Sequence, residues 1–303
     1  MTQPRPKVTA IIAAYNTAQY LGAAIESVLG QTYRDFELHV VDDGSTDNTP
    51  EVVAQYQGDP RLRYTRQANA GQARATNFAI GEARGELLTF CDADDLWEPR
   101  KLEIQLKALE QDPQVGVVYA RKRRITSDGA PLADTDDAPG QPHPTGKITD
   151  ALFLGNFIPY GTAMVRKECF DAVGHFRPEY RFGLDWDLWL RVSTRYRFAF
   201  VDEVTYVYRT WPGQMTRNWR ASYECAFKIM ERFVDEHPDA VASEVVRNAY
   251  ADSYTNRGYY RVAFAKEYGG GLSDGLRALR YRLGWTPAYR LIAKASVSTL
   301  TRK

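Results

Sequence analysis

The chain has 303 residues, 44% hydrophobic and 25% charged, which suits a globular protein with room for one large domain or a domain with an appendage. A formal net charge of +1 excludes a globally basic nucleic-acid binder. Cys91, Cys169 and Cys225, like the four histidines, are too scattered for a disulfide framework or a zinc site, which fits a reducing compartment.

The opening MTQPRPKVTAIIAAYN has too short an apolar run for a signal peptide and leads straight into a strand pattern. No stretch approaches the length of a membrane-spanning helix. The expectation is a cytoplasmic protein whose membrane contact is at most peripheral, at the inner face. Val8 to Ala14 is a nearly continuous apolar run, as in a central parallel strand. Helical spacing follows at Tyr20, Leu21, Ala24, Ile25, Val28 and Leu29. Phe36 to Val41 predicts a second strand, in which His39 reads as a packed histidine rather than a ligand. Thr49 and Pro50 look like an N-cap and first helical position. Arg61 to Tyr64 predicts a third strand, Gly71 to Ala83 a helix, and Glu86 to Cys91 a fourth strand. Pro99 to Glu110 reads as helix and Val115 to Tyr119 as a fifth strand. Alternating strands and helices predict an α/β protein, a Rossmann-like, mostly parallel sheet covered on both faces.

Ser127 to Lys147, rich in Pro, Gly, Asp and Thr, reads as a loop or hairpin. Beyond it, Gly161 to Val165 and Val204 to Tyr208 look like strands, Leu184 to Tyr196 like a helix, and everything from Tyr223 onward like helices.

Ligands of open α/β sheets bind beyond the carboxyl ends of the strands. Three polar clusters fall there: Tyr15-Asn16, Asp42-Asp43-Gly44-Ser45 and Asp92-Ala93-Asp94-Asp95. Each residue type also suits an ordinary turn, and Asp95 could cap the next helix. Three such clusters on one edge fit a nucleotide better. A ring at the first can stack on a base, and a carboxylate at the second can accept from a base N–H. Three adjacent carboxylates at the third repel one another unless a hard cation such as Mg²⁺ or Mn²⁺ joins them, with diphosphate completing its shell. Neither G-x-G-x-x-G nor G-x-x-x-x-G-K-[ST] follows the first strand, so dinucleotide and P-loop readings lose support.

In Phe182 to Arg191, Asp187 and Arg191 stand four apart on a predicted helix, the spacing of a surface ion pair. Asp185 opens that helix. It reads either as a cap favoured by the helix dipole or as a general base against a wall formed by Trp186 or Trp189.

The strings AAYNTAQYLGAAIESVLGQTYRDFELHVVDDGSTDNT, NAGQARATNFAIGEARGELLTFCDADDLWEP and GLDWDLWLRV together resemble the family 2 glycosyltransferases over about the first 210 residues. The resemblance implies the GT-A fold and inverting transfer of a sugar from a nucleotide-diphosphate donor, UDP by preference, with Mn²⁺ or Mg²⁺. The acceptor it implies is a glycan or a lipid-linked one, as in cell-envelope polysaccharide or glycoconjugate synthesis. By position it places Ala13, Tyr15, Asp43 and Asp92 at the donor nucleotide, Asp94 at the metal, and Asp185 as the base that deprotonates the acceptor. It implies a catalytic domain over 1–215, with about 1–120 for the nucleotide-sugar and about 148–215 for the acceptor, then a helical extension over 216–303. Two departures stand out. Leu184 occupies the place before the base where an acidic residue often stands, and Gln214, Arg217 and Trp219 form QMTRNW, one residue out of step with the processive Q-x-x-R-W. A single-sugar enzyme is expected. A non-catalytic sugar-nucleotide or glycan-binding protein on the same fold remains the competing class.

After Gly271 come seven basic residues (Arg277, Arg280, Arg282, Arg290, Lys294, Arg302, Lys303) against one acid, Asp274. Leu276, Leu279 and Leu283 form one helical stripe, and Leu291, Ile292 and Ala295 another. The pair either packs inside the protein, against its own domain or a second subunit, or lies on an anionic membrane.

Overall fold

The computed structural model describes residues 5–133, 143–215 and 218–300. Its first elements are β1 (Val8–Ala14), α1 (Ala18–Leu29), β2 (Phe36–Asp42), α2 (Thr49–Ala54), β3 (Leu62–Arg66) and α3 (Gln72–Glu82). Then come β4 (Leu87–Asp92), β5 (Leu96–Trp97), α4 (Lys101–Gln111), β6 (Val115–Ile125) and β7 (Pro131–Leu132). Next are α5 (Thr149–Leu154), a 3₁₀ turn at Tyr160–Thr162, β8 (Met164–Arg166), α6 (Lys167–Val173), α7 (Leu184–Ser193) and β9 (Arg197–Arg209). Four helices end the chain: α8 (Trp219–Glu236), α9 (Ser243–Tyr260), α10 (Tyr268–Tyr281) and α11 (Thr286–Leu300), with a π-turn at Arg261–Ala265.

The sheet runs β3-β2-β1-β4-β8-β6-β9-β5, with β7 on β6. Strands β3, β2, β1 and β4 are parallel neighbours. β8 is antiparallel to both β4 and β6, while β6 and β9 pair in parallel through bulges around Ala120–Lys122. The continuous apolar runs follow from burial on both faces. Val8, Ala10, Ile12 and Ala14 face one side, packed with Leu21, Ala24, Ile25 and Val28 of α1 and Leu102, Leu106 and Leu109 of α4. On the other side, the Phe90 ring meets Tyr160, Phe170 and Phe176, and His39 meets Phe78 of α3. His39 is buried, bonded to Thr65 Oγ1 at 3.1 Å, as expected of a packed histidine, and burial pushes its pKa down to about 4.

Several boundaries move. Asn48, not Thr49, caps α2, and α4 starts at Lys101 rather than Pro99. The strand expected from Val115 to Tyr119 continues to Ile125, because β9 and β7 give its polar second half partners. The strand expected over Gly161–Val165 is a 3₁₀ turn followed by three residues of β8. In the Ser127–Lys147 segment β7 makes a hairpin with β6, while residues 134–142 lie outside the described residues.

The chain divides into two compact units, residues 1–148 with 157–214, and residues 149–156 with 215–303. The second unit is helical. Helices α10 and α11 meet closely where a Cβ added at Gly275 would lie 2.5 Å from Ile292, so only glycine lets them meet there. Asp274, wholly buried, takes two bonds from Arg257 (Nε 3.0 Å, Nη2 2.5 Å). No helix among the described residues is long and apolar enough to cross a membrane.

Candidate active site

The carboxyl ends of β1, β2 and β4 lie side by side, since Ala14 pairs with Asp42 and Ala13 with Asp92. This brings Ala13, Tyr15, Asp43, Asp92 and Asp94 to one sheet edge. The two loops beyond β1 and β2 are laced together. Asn16, held at φ 52°, donates its N–H to Ser45 Oγ at 3.0 Å and accepts from the Thr46 N–H at 2.8 Å. Tyr15 stands beside this lacing with half of its surface exposed (49%).

Asp43 is almost fully buried and anchors the loop before α3. Its Oδ1 accepts from Gln67 Nε2 (2.7 Å) and the Ala70 N–H (2.9 Å), and its Oδ2 from the Gly71 N–H (2.7 Å). A carboxylate oxygen has two lone pairs, so Oδ2 keeps an acceptor position beside the Tyr15 loop.

At the end of β4 the three carboxylates separate into different roles. Asp95 is buried, with Oδ1 accepting from the Arg209 N–H (2.7 Å) and Oδ2 from the Tyr206 hydroxyl (2.7 Å). It is a tie to β9, not the cap of the next helix, and burial pushes its pKa well above the usual range. Asp92 is half-buried. Gln72 Nε2 donates to it at 3.1 Å, and the same Tyr206 hydroxyl lies 3.0 Å from its Oδ2. A phenol has one proton and serves one carboxylate at a time. Desolvation first, then the charge of Asp94 and, more weakly, that of Asp185, push the Asp92 pKa up to about 7 against the bonds from Tyr206 and Gln72, which lower it. Asp94, also half-buried, accepts from Trp211 Nε1 at 2.6 Å through Oδ2. Its carbonyl accepts from Arg209 Nε at 2.9 Å.

Among the described residues no three His, Cys, Asp or Glu side chains are grouped to hold a metal ion. With Asp95 committed to β9, the cluster offers Asp92 and Asp94. That set of hard oxygens, with more negative charge than the protein offsets, fits a divalent cation whose other ligands are phosphate oxygens.

Asp185 sits in the first turn of α7, one residue inside Leu184, with Gly183 as the N-cap. It is half-buried, and its charge reaches both Asp92 and Tyr160. Both candidates for the aromatic wall expected beside it, Trp186 and Trp189, are buried. Trp189 is fully buried and donates to the Ile158 carbonyl (3.2 Å), so it packs beneath the helix. The surface ion pair expected for Asp187 is corrected. Asp187 and Arg191 are both buried, joined by two bonds from Arg191 (3.0 and 2.7 Å) and one from Arg177 (3.0 Å). Arg191 also donates to the carbonyls of Val173, Gly174 and His175, riveting α7 to the segment after α6. Spacing reveals the pair but not which face of the helix it occupies.

The residues that sequence reasoning missed come from β9 and its exit. Tyr206 reaches the aspartates only because residue 161 is glycine, where a Cβ would lie 2.0 Å from the Tyr206 ring. Arg209 stacks over Tyr20, and Trp211 packs against the same ring. Gln214 closes this turn by accepting from the Trp211 N–H and donating to the Arg209 carbonyl. Arg217 lies outside the described residues, and Trp219 stacks on Tyr260 within the helical unit. No local pattern announces the ties of Tyr206, Arg209 and Trp211 to the aspartates, since each acts across more than 100 positions of sequence.

A mostly parallel sheet whose β1, β2 and β4 ends gather polar groups and a carboxylate pair on one edge is an α/β architecture of the GT-A type. The chain belongs to glycosyl transferase family 2, whose model matches residues 9–175. It is 31% identical over 202 residues to a chondroitin synthase of Pasteurella multocida, covering 66% of this chain and 20% of that protein. An uncharacterized glycosyltransferase of Nostoc sp. is 33% identical over 203 residues, 65% of this chain and 61% of that protein. The chain thus spans about a fifth of the length of the Pasteurella relative. Among solved structures, S. aureus TarS 1–349 in complex with UDP-GlcNAc matches with TM-score 0.71 at 17% identity, over 96% of this chain and 89% of that one. The mannosyltransferase PcManGT from Pyrobaculum calidifontis, in complex with GDP-Man and Mn²⁺, matches with TM-score 0.55 at 23% identity, over 99% and 89%. At these identities the two structures establish the shared fold.

Proposed function

We propose that this chain is an inverting, metal-dependent glycosyltransferase that moves one sugar from a nucleotide-diphosphate donor, a UDP-sugar by preference, to a hydroxyl of a glycan or lipid-linked acceptor in polysaccharide or glycoconjugate synthesis. The observation that carries it is the charge imbalance at the end of β4, where, among the described residues, the Asp92 and Asp94 carboxylates accept only from the neutral donors Gln72, Tyr206 and Trp211. A site built to hold only neutral ligands has no use for that imbalance. A cation and diphosphate together relieve it.

Tyr15, half exposed, offers its ring to the base, and the spare lone pair of Asp43 Oδ2 accepts a base N–H. Ala13, at the end of β1, lets the base approach the backbone. Asp92 takes a ribose hydroxyl, and with Asp94 would hold Mn²⁺ or Mg²⁺. The cation, when bound, supplies positive charge against the departing diphosphate. Asp185 accepts the proton of the acceptor hydroxyl as that oxygen bonds to the anomeric carbon. The bond from that carbon to the diphosphate oxygen breaks, and its electron pair leaves with the diphosphate. One displacement inverts the anomeric configuration and needs no protein nucleophile.

The test is a donor screen with Mn²⁺, UDP-sugars and a GDP-sugar, reading thermal shift and nucleotide release with and without acceptor. Binding raises the melting temperature by mass action. Donor-dependent UDP release that EDTA abolishes, with an inverted product by NMR, is the expected result. Tight donor binding without turnover on any acceptor would make the chain a sugar-nucleotide-binding protein. Full activity in EDTA, or a retained configuration, would overturn the mechanism.

A further inference from the structure

The two leucine stripes of the C-terminal helices do not behave alike. The second is internal, with Leu291 and Ala295 wholly buried against Val262. The first is split. Leu279 packs against the Ala251, Ala278 and Ala288 cluster, while Leu276 and Leu283 face outward, 52% and 78% exposed. Leu276 and Arg280, i and i+4, share one side of α10, and Leu283 lies in the turn just beyond its end at Tyr281. Tyr289, 51% exposed, donates its hydroxyl to the Leu283 carbonyl at 2.8 Å, which places it against the same turn. Four outward arginines, Arg277, Arg280, Arg282 and Arg290, flank this tip. No carboxylate side chain follows Asp274 in the sequence, so nothing from this part of the chain offsets them.

We propose that the α10–α11 tip docks the chain onto an anionic lipid surface, with Leu276, Leu283 and Tyr289 entering the headgroup boundary and Arg280 and Arg290 meeting lipid phosphates. The chemistry selects this occupant. A nucleic acid would satisfy the arginines but leave the leucine side chains without an apolar partner. A second copy, meeting this patch through a two-fold axis, would bring arginine against arginine. Only a surface that is apolar beneath and anionic above matches both components.

Cosedimentation of the full chain with vesicles separates the outcomes without reference to catalysis, so its failure leaves the glycosyltransferase reading untouched. Expected is binding to phosphatidylcholine–phosphatidylglycerol vesicles, little binding to pure phosphatidylcholine, and release as salt rises from 50 mM to 500 mM. Arg280→Gln and Arg290→Gln should each weaken binding about fivefold, and the pair about thirtyfold. Leu283→Ser should weaken it about tenfold. These side chains are exposed, so an unchanged melting temperature accompanies each variant. Where Leu283→Ser lowers it, the arginine pair decides alone. Absence of binding to anionic vesicles at low salt overturns the proposal, as does binding that the arginine pair leaves intact. So does a dimer in solution that Leu283→Ser dissociates while vesicles are ignored.

Discussion

The two halves of the sheet satisfy their carboxylates in opposite ways. In the parallel half, help comes from nearby in the chain. Asp42 accepts the N–H of Ser45, three residues on, and Asp43 is held from Gln67 to Gly71, 24 to 28 residues on. At the β4 end, where the mixed half begins, Asp92, Asp94 and Asp95 depend on Tyr206, Arg209 and Trp211, 111 to 117 positions away. The side proposed for the nucleotide is therefore shaped by local turns. The side proposed for the diphosphate takes shape only once β9 has paired with β6, and among the described residues its carboxylates keep neutral donors alone. Substitutions in the mixed half should accordingly disturb stability or the cation, and those in the parallel half should act through packing.

The largest effect belongs to the rivet under α7. Removing one partner of a buried pair strands a charge, so Asp187→Ala should cost about 3–5 kcal/mol in urea unfolding. A loss below about 1 kcal/mol would mean the pair behaves as an exposed one. Next is Asp185→Asn, two residues away on the same helix. It should keep donor affinity and melting temperature while transfer falls at least ~10²-fold, about 2.7 kcal/mol in the barrier. Asp94→Asn should match that loss and in addition raise the Mn²⁺ concentration needed for half-activity. If Asp185→Asn stays active while Asp187→Ala folds normally and is inactive, the base has been misassigned.

How much of this was legible in the sequence follows the same division. Apolar runs and strand-end polar clusters reveal β1, β2 and β4 because burial on both faces and local turn chemistry leave a continuous signature. The bond from Tyr206 to Asp95 leaves none, because it rests on strand pairing and on the bare backbone of Gly161. The spacing of Asp187 and Arg191 fits a helix pair, yet spacing does not say which face is buried. The outward leucines Leu276 and Leu283, in α10 and just beyond it, were half visible for the same reason: a stripe shows periodicity, and only packing decides which members it consumes.

A pH measurement probes the parallel half. Burial, then the charge of Arg63, lowers the His39 pKa from 6.5 to about 4. The unfolded chain therefore binds the extra proton between these values. Stability is present in full above pH 6.5 and is lost as pH falls toward 4, by about 2 kcal/mol at pH 4.5. His39→Gln should lack this part of the pH dependence while sharing the rest, as read from urea midpoints between pH 7 and 4.5. Parallel curves for the two proteins would show that His39 is not the buried neutral group described.

The smallest predicted effect tests whether the mixed half orients the proposed cation site or merely covers it. The Trp211 N–H is bonded to Oδ2 of Asp94, and its ring rests on Tyr20. Such a partner fixes a ligand's rotamer, and losing one typically costs about tenfold or more in metal affinity. Trp211→Phe keeps the ring contact and deletes only the N–H. Mn²⁺ affinity measured by calorimetry with UDP present should fall about tenfold, with UDP affinity in metal-free buffer unchanged. An increase would mean that the indole competes with the cation for Oδ2 and must withdraw before it binds. A fall in both affinities would mean that the whole turn from Arg209 to Gln214 had lost its place, which Gln214→Ala should then reproduce, because that side chain closes the turn from both ends.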